Sequence, residues 1–348
     1  MTGSANLEQM PASLIERIEV ITNPSAKYKP DGTGGIINII LKKERKRGFN
    51  GILGANVGNH SRFNTNLQLN YNPGKVNLFG SYGYRQDYRR RTRERTSQTI
   101  DTATSQSTYF DQNGSGTSWR FSHLGQLGID WIIGKKDVAG IAGTFNYRES
   151  SRGDSTWNQY RDDNQILTEE FSRILDGRET ETSIGLTTYY EHTFISEEEH
   201  LLWFDFEYQR DVEKENDMWT TNYFFPTYPQ GQDHNMGPNI DDEFDLNLGY
   251  SRPLWEDAAL EVGYEGTMEI NDIDQIVETF DSVSGQWVVD SLEGSSFHGN
   301  QTVHALYLTM AWEWKKFSVL GGLRAEETFV EISNRKTFTL LNWDIHFS

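Results

Sequence analysis

Apolar and polar residues alternate along most of this chain. Between residues 202 and 208, every second side chain is large and apolar or aromatic, and the side chains between them are mostly polar. The same alternation occurs at residues 67–71, 76–85, 141–148, 244–251 and 260–265. Successive side chains of an extended strand point to opposite faces, so this period of two predicts β-strands with one apolar and one polar face.

The alternation assigns individual residues to the two faces. On the apolar face we expect Leu202, Phe204, Phe206, Phe244, Leu246, Leu248, Leu260 and Val262. On the polar face we expect Asp205, Glu207, Asp245, Asn247, Glu261 and Glu265. A sheet built from such strands would separate an apolar environment from a polar one.

Short turn sequences recur at a nearly constant spacing. They are centred near residues 73, 136, 197, 256 and 315, at intervals of 63, 61, 59 and 59 residues. Longer polar stretches lie between them and are expected to be loops, at roughly 90–117, 150–177, 215–241 and 271–299. Each period contains a strand, a long loop, a returning strand and a short turn, which predicts an up-and-down antiparallel meander.

Two all-β architectures compete for this pattern. A propeller blade holds four short strands in about 40–50 residues, whereas here two long strands occupy about sixty. Outer-membrane strands need about 9–11 residues, an apolar outer face, a polar inner face and short turns at one end. The sequence therefore predicts a transmembrane β-barrel, with strands at 48–58, 62–72, 75–88, 119–133, 138–149, 180–195, 200–213, 243–253, 258–270, 301–313 and 317–331.

Composition agrees with long strands in an envelope protein. Aromatic residues make up 13% of the 348 residues, there are 31 glycines, and the mean hydropathy of −0.67 excludes a helical membrane protein. The absence of cysteine excludes disulfides and thiol chemistry. The 51 acidic and 32 basic residues leave a net charge of −19, which opposes general binding of nucleic acid.

Residues 27–43 combine glycines with a run of isoleucines. Gly32, Gly34 and Gly35 suggest a phosphate-binding loop at first sight, but they lead into the β-branched run Ile36–Leu41. A phosphate loop requires a following helix, whose N-terminal N–H groups hold the anion. We therefore interpret the glycines as a tight turn between two strands.

The same region resembles the end of the plug domain of TonB-dependent outer-membrane receptors. The resemblance rests on "LIERIEVI" at residues 14–21, Asn23-Pro24, Lys27-Tyr28 and "GTGGIINI" at residues 32–39, and its form is most similar to the beta-barrel-family receptors frequent in Bacteroidetes. In that family the glycines shape the turn between the last plug strands. The resemblance thus agrees with a structural role for Gly32, Gly34 and Gly35.

The resemblance also implies how the chain is organised. Residues 1–43 would form the C-terminal part of a plug, residues 44–331 a partial barrel and residues 332–348 a truncated tail. Eleven strands are half of the about 22 with which such transporters close, so we expect a sheet that curls like half a barrel. No signal peptide is recognised after Met1, and we expect a fragment that does not transport by itself.

The family implies a receptor for energised uptake in the outer membrane. Its partners would be membrane lipid, the TonB complex reached through an N-terminal region missing here, and an unidentified siderophore, glycan or peptide. No cofactor and no covalent chemistry are implied. A structural or adhesive outer-membrane barrel is the alternative, and an acidic glycan hydrolase, which needs two converging carboxylates, is the third.

Two groups of charged residues are candidates for contacts. Arg17 and Glu19 match the family's Arg-x-Glu position, which implies contacts between plug and inner barrel wall, with Glu207, Glu261 and Glu265 as candidate partners. A plain strand-surface role is the alternative. The cluster Arg89, Arg90 and Arg91 ends the third predicted strand and would contact lipid phosphate, unless it is only solvated rim charge.

Ligand recognition is expected in the predicted loop at 215–241. It holds five aromatic residues, Trp219, Tyr223, Phe224, Phe225 and Tyr228. Exposed aromatic clusters usually mark contact surfaces. The alternative is that these rings pack on neighbouring loops and close the barrel mouth.

No residue pattern predicts a metal or catalytic site. The eight histidines lack the spacings of metal ligands, and no nucleophile motif occurs. We therefore predict no enzyme activity, no metal and no cofactor.

Overall fold

The computed structural model describes residues 15–21, 36–41, 47–194, 200–255, 257–290, 293–314, 317–334, 337–339 and 344–347. For 15–21, 36–41, 337–339 and 344–347 it describes the backbone alone. Within these residues, no helix is both long and apolar enough to cross a membrane.

The described elements are all strands. They are β1 (Ile15–Ile21), β2 (Ile36–Leu41), β3 (Gly48–Val57), β4 (Phe63–Asn72), β5 (Val76–Ile100), β6 (Ser107–Ile132), β7 (Asp137–Arg161), β8 (Leu167–Thr193), β9 (Leu201–Phe225), β10 (Gly231–Trp255), β11 (Ala258–Asp281), β12 (Gln286–Val289), β13 (Ser295–Trp314), β14 (Phe317–Asn334), β15 (Thr337–Thr339) and β16 (Asp344–Phe347).

Fourteen of these strands form one antiparallel sheet in chain order. The path runs from β3 to β11 and on through β13, β14 and β15, while β12 pairs with β11 and β16 pairs with β14. β1 and β2 form a separate two-stranded sheet. The expected up-and-down meander of eleven long strands, β3 to β11 with β13 and β14, is confirmed.

The expected loops are wrong in extent, because the strands are longer than predicted. β5 to β10 each contain 25–27 residues, so most of the predicted loop segments lie in strands, and the connections shrink to residues 101–106, 162–166 and 226–230. In these extensions both faces carry polar residues, so the sequence lacks the alternation by which a strand is recognised. The ladder hydrogen bonds continue regardless, since they are made by the backbone.

The predicted division into two faces is confirmed by the strand register. Directly paired residues of neighbouring strands share a face. Phe204 pairs with Leu248, and Leu248 pairs with Tyr264, whereas Asp205 pairs with Asn247 and Asn247 with Glu265. All eight residues expected on the apolar face lie on one side of the sheet, and all six expected on the polar face lie on the other.

The apolar face has a defined band with a border at each end. Toward the short turns, three exposed tryptophans, Trp131, Trp255 and Trp312, form one border. Toward the longer strand ends, Arg210 lies opposite Asp242 on the same face, with 3.5 Å between Nη1 and Oδ2. Aromatic girdles and charged residues are typical of the two interfaces of a membrane barrel.

Aromatic rings cover glycines on the polar face near the short turns. Phe79 lies over Gly128, Tyr189 over Gly140, Trp203 over Gly249 and Tyr307 over Gly263, so a Cβ at any of these glycines would collide with the ring. Each ring belongs to the strand next to its glycine. This arrangement explains why Trp203, a large apolar side chain between Leu202 and Phe204, occupies a position on the polar face: its ring covers Gly249.

The division into a plug segment at residues 1–43, a partial barrel at 44–331 and a tail at 332–348 stays a prediction. Val20 pairs with Ile37 in the β1–β2 sheet, as expected of two strands joined by a turn. Gly32, Gly34 and Gly35, assigned to that turn, lie outside the described residues. In the segment expected to be a tail, β14 continues to Asn334, and β15 and β16 pair with it.

Candidate functional site

The strands extend well beyond the apolar band. A strand of 25 residues, such as β9, has a contour length of about 80 Å, compared with about 30 Å for the hydrocarbon core of a bilayer. The extensions of β5 to β9 therefore present a polar face outside the membrane. The predicted ligand-contact residues belong to this region.

A row of aromatic rings crosses β6 to β9 near the ends of these extensions. The ring centroids are 4.7 Å apart for Phe110 and Tyr160, 6.4 Å for Tyr160 and Phe171, and 5.9 Å for Phe171 and Tyr223. Tyr228, in the connection after β9, adds an edge-on contact to Tyr223 at 5.4 Å. We call these five residues the ring row; the register places the four strand residues on the polar face.

The structure divides the predicted ligand-contact residues between the two faces. Tyr223 and Tyr228 belong to the ring row, and Trp219 lies on the same face, with the Arg173 guanidinium 4.3 Å from its ring centroid. Phe224 instead stacks on Trp157 at 4.5 Å on the opposite face. Phe225 is exposed at the end of β9. Four of the five residues thus lie in a strand rather than in the expected loop.

The predicted lipid-phosphate cluster is divided in the same way. Arg89 and Arg91 lie on the polar face, where Arg89 Nε donates to Asp87 Oδ2 at 2.6 Å and Arg91 Nη2 donates to Asp154 Oδ2 at 2.6 Å. Arg90 lies on the other face and donates to the Tyr88 hydroxyl at 3.2 Å. A lipid contact is therefore retained as a proposal for Arg90, which shares the face that would meet lipid.

Acidic side chains concentrate on the polar face of β8 to β10. Glu181 lies directly opposite Glu213, and Glu179 directly opposite Glu215. The Arg148 guanidinium contacts Glu179 and Glu181, and Arg152 contacts Glu215 and Asp217, with 2.6 Å to Asp217 Oδ2. We call Glu179, Glu181, Glu213, Glu215, Asp217 and Asp241 the acidic wall; two arginines contact four of its carboxylates.

Burial and repulsion raise the pKa of several acidic-wall carboxyls, all beyond the Arg210–Asp242 border. The pKa of Glu213 is raised by burial and then by the charges of Glu179 and Glu181. The pKa of Asp241 is raised by burial and then by Asp211. Since burial and like charges both disfavour the ionised form, these groups destabilise the folded protein at neutral pH.

Replacement of Glu213 by glutamine should stabilise the protein at neutral pH. Because its folded-state pKa is raised, ionised Glu213 costs stability as the pH rises from the unfolded-state pKa, about 4.3, through the folded-state value. Glu213→Gln should therefore increase the unfolding temperature at pH 7 and have little effect at pH 4. Circular dichroism of micelle-bound protein at both pH values measures this.

The matched control is Glu331→Gln, because Glu331 is an exposed glutamate on β14 away from the acidic wall. It should change the unfolding temperature little at either pH. An equal increase in both variants, or a decrease for Glu213→Gln at pH 7, would contradict the proposed repulsion.

Other predicted contacts remain untested. The side chains of Arg17 and Glu19 lie outside the described side chains. Among their candidate partners, Glu265 accepts a hydrogen bond from Arg324 Nη2 at 2.8 Å. No group of three or more His, Asp or Glu side chains in the described part of the chain is arranged to hold a metal ion, so we assign none.

The sequence interpretation missed most of the ring row. Phe110, Tyr160 and Phe171 are spread over sixty residues and lie in or beside segments expected to be loops. Pairing of β6, β7 and β8 brings them together. The available signal was one aromatic residue on each of these strands at a similar distance from the predicted short turns.

The fold defines a class of protein. A single up-and-down sheet with an apolar band, an aromatic border and a polar opposite face is typical of outer-membrane β-barrels. Residues 192–342, which include β9 to β15, match the family model described as the outer membrane protein beta-barrel family. Sheet and match together indicate an outer-membrane β-barrel that contacts membrane lipid, a class that suggests transport or structural roles rather than catalysis.

Proposed function

We propose that this protein is an outer-membrane receptor that takes up a ligand with energy delivered by TonB. The observation that carries the proposal is the ring row, which lies outside the apolar band on the face that lines a barrel. The resemblance of residues 14–39 to the end of a plug also supports it. Ligand would bind at the strand extensions, and the plug would be displaced when TonB exerts force.

Binding of TonB tests the transport class without knowledge of the ligand. The full-length gene product, purified in detergent, is titrated calorimetrically with the periplasmic domain of TonB. We expect saturable binding that is lost when the receptor's TonB-contacting segment is deleted. Absence of binding, or binding that survives the deletion, would contradict TonB-dependent uptake.

One observation favours a structural or adhesive barrel as a second candidate. The outward face of the extensions exposes Trp119, Trp157 and Phe224, at 39%, 42% and 45% of their surface. Exposed aromatic residues outside the membrane are also suited to contact with another protein. A protein without TonB affinity that still mediates cell attachment would support this candidate.

A further inference from the structure

A stripe of arginines follows the polar face of β5 toward the ring row. Six of the chain's 32 basic residues lie within residues 85–95, and alternation places five of them on this face: Arg85, Arg89, Arg91, Arg93 and Arg95, which we call the arginine stripe. All five are exposed. Their direct partners on β6 are the uncharged Ser122, Ser118, Gly116, Gly114 and Gln112.

The far end of the stripe lacks counter-charges. Arg89 and Arg91 are paired with Asp87 and Asp154. For Arg93 and Arg95, the described residues contain no carboxylate partner at ion-pair distance. In a chain with a net charge of −19, two adjacent unpaired guanidinium groups on one face form a local site for anions.

The stripe and the ring row meet. The Arg95 guanidinium lies 5.8 Å from the centroid of the Phe110 ring, the first member of the row. Gln112, opposite Arg95, donates from Nε2 to Asn158 Oδ1 at 2.7 Å, and Asn158 pairs with Phe171 in the next strand. Cationic, amide and aromatic groups therefore form one continuous surface across β5 to β9.

We propose that this surface binds an acidic oligosaccharide, with ring-row residues against the sugar faces and Arg93 and Arg95 on the carboxylates. The inference rests on the proposed receptor function in one respect, namely that the oligosaccharide reaches this surface from outside the cell. A chain of sugar rings presents apolar C–H faces at regular intervals, which suit rings 4.7–6.4 Å apart in a row. Guanidinium groups bind carboxylates with two parallel hydrogen bonds.

The charge pattern also gives the ligand an orientation. The acidic wall lies on the same face of the sheet. The register connects Arg89 of the stripe, through Ser118, Arg152 and Gly177, with Asp217 of the wall, so stripe and wall lie side by side on this face. An anionic chain is attracted by the stripe and repelled by the wall. It should therefore follow the ring row at the strand ends rather than the polar face nearer the membrane.

The test is titration of the full-length receptor in detergent with tetragalacturonate, the neutral cellotetraose, and inorganic phosphate. We expect saturable binding of tetragalacturonate that weakens with added salt, and at least tenfold weaker binding of cellotetraose and phosphate. A tenfold difference corresponds to about 1.4 kcal/mol. Binding of the neutral sugar equal to that of the acidic one, tighter binding of phosphate, or binding of neither sugar would overturn the proposal.

Matched variants locate the site. The double variant Arg93→Gln with Arg95→Gln should weaken tetragalacturonate binding at least tenfold, and Arg90→Gln, on the same strand but the opposite face, should leave it unchanged. Tyr223→Ser should also weaken it, whereas Phe224→Ser should not. Equal losses in Arg90→Gln, or none in the double variant, would overturn the assignment.

Failure of the proposed ligand class can be distinguished from failure of the proposed transport function. TonB binding that persists while tetragalacturonate fails to bind would reject the ligand class and leave the transport class standing. Tetragalacturonate binding without TonB binding would support the site and reject energised uptake. Comparison of the three ligands on the unmodified receptor does not depend on any variant folding.

Discussion

Replacement of Phe204 by arginine is expected to destabilise the folded protein in a bilayer by about 2–4 kcal/mol. Phe204 pairs with Leu248 and, through Tyr264, shares a row with Leu306. On β10, Leu248 lies six residues from Asp242 and seven residues from Trp255, which places its partner Phe204 near the middle of the apolar band. A charge there must lose its water or distort the bilayer.

Equilibrium folding into lipid vesicles, followed by tryptophan fluorescence against denaturant, measures this cost. Phe224→Arg is the matched control, because Phe224 lies on the same strand and the same face but beyond the band. Its cost should be limited to the lost stacking on Trp157, about 0.5–1.5 kcal/mol. If the two arginines cost the same, Phe204 does not face lipid.

Removal of the Arg324 side chain should be the most damaging change on the polar face. The side chain is 1% exposed, Nη2 donates to Glu265 at 2.8 Å, and Nε donates to Glu326 at 2.5 Å. Arg324→Ala leaves two carboxylates without their shared cation. Breaking a buried ion pair in this way typically costs about 3–5 kcal/mol.

Arg178→Ala is the control for Arg324→Ala. Arg178 makes a comparable 2.7 Å contact with Glu149, but its side chain is 65% exposed. Exposed pairs contribute about 0–1 kcal/mol, so its removal should be nearly neutral. Adding Glu265→Gln and Glu326→Gln to Arg324→Ala should restore part of the lost stability. Similar costs for Arg324→Ala and Arg178→Ala would show that the Arg324 site is hydrated.

Strand prediction was accurate where the two faces meet different solvents. For residues 201–208 and 244–250, lipid on one side and polar groups on the other select alternating side chains, and both strands were found from this alternation. For residues 215–225 both faces are exposed to polar surroundings. Selection for alternation is absent there, so this end of β9 was taken for part of a loop.

The candidate site was predictable only in part, for a related reason. Tyr223, Phe224 and Phe225 attracted attention as a local cluster of aromatic residues. Their assignment to opposite faces depends on the register of β8 and β9, including the irregularity between Glu170 and Phe171. A shift of one residue exchanges the faces, and local sequence does not specify such shifts.

The sequence by itself determined the strand order, the short turns and the apolar band, since each follows from neighbouring residues and from the contrast between lipid and water. Only the tertiary structure decided the ring row, the acidic wall and the ion pair of Arg91 with Asp154. These features join residues from different strands, and Arg91 and Asp154 are 63 positions apart in the sequence. Contacts across strands depend on pairing register, and register is a property of the assembled sheet rather than of any one segment.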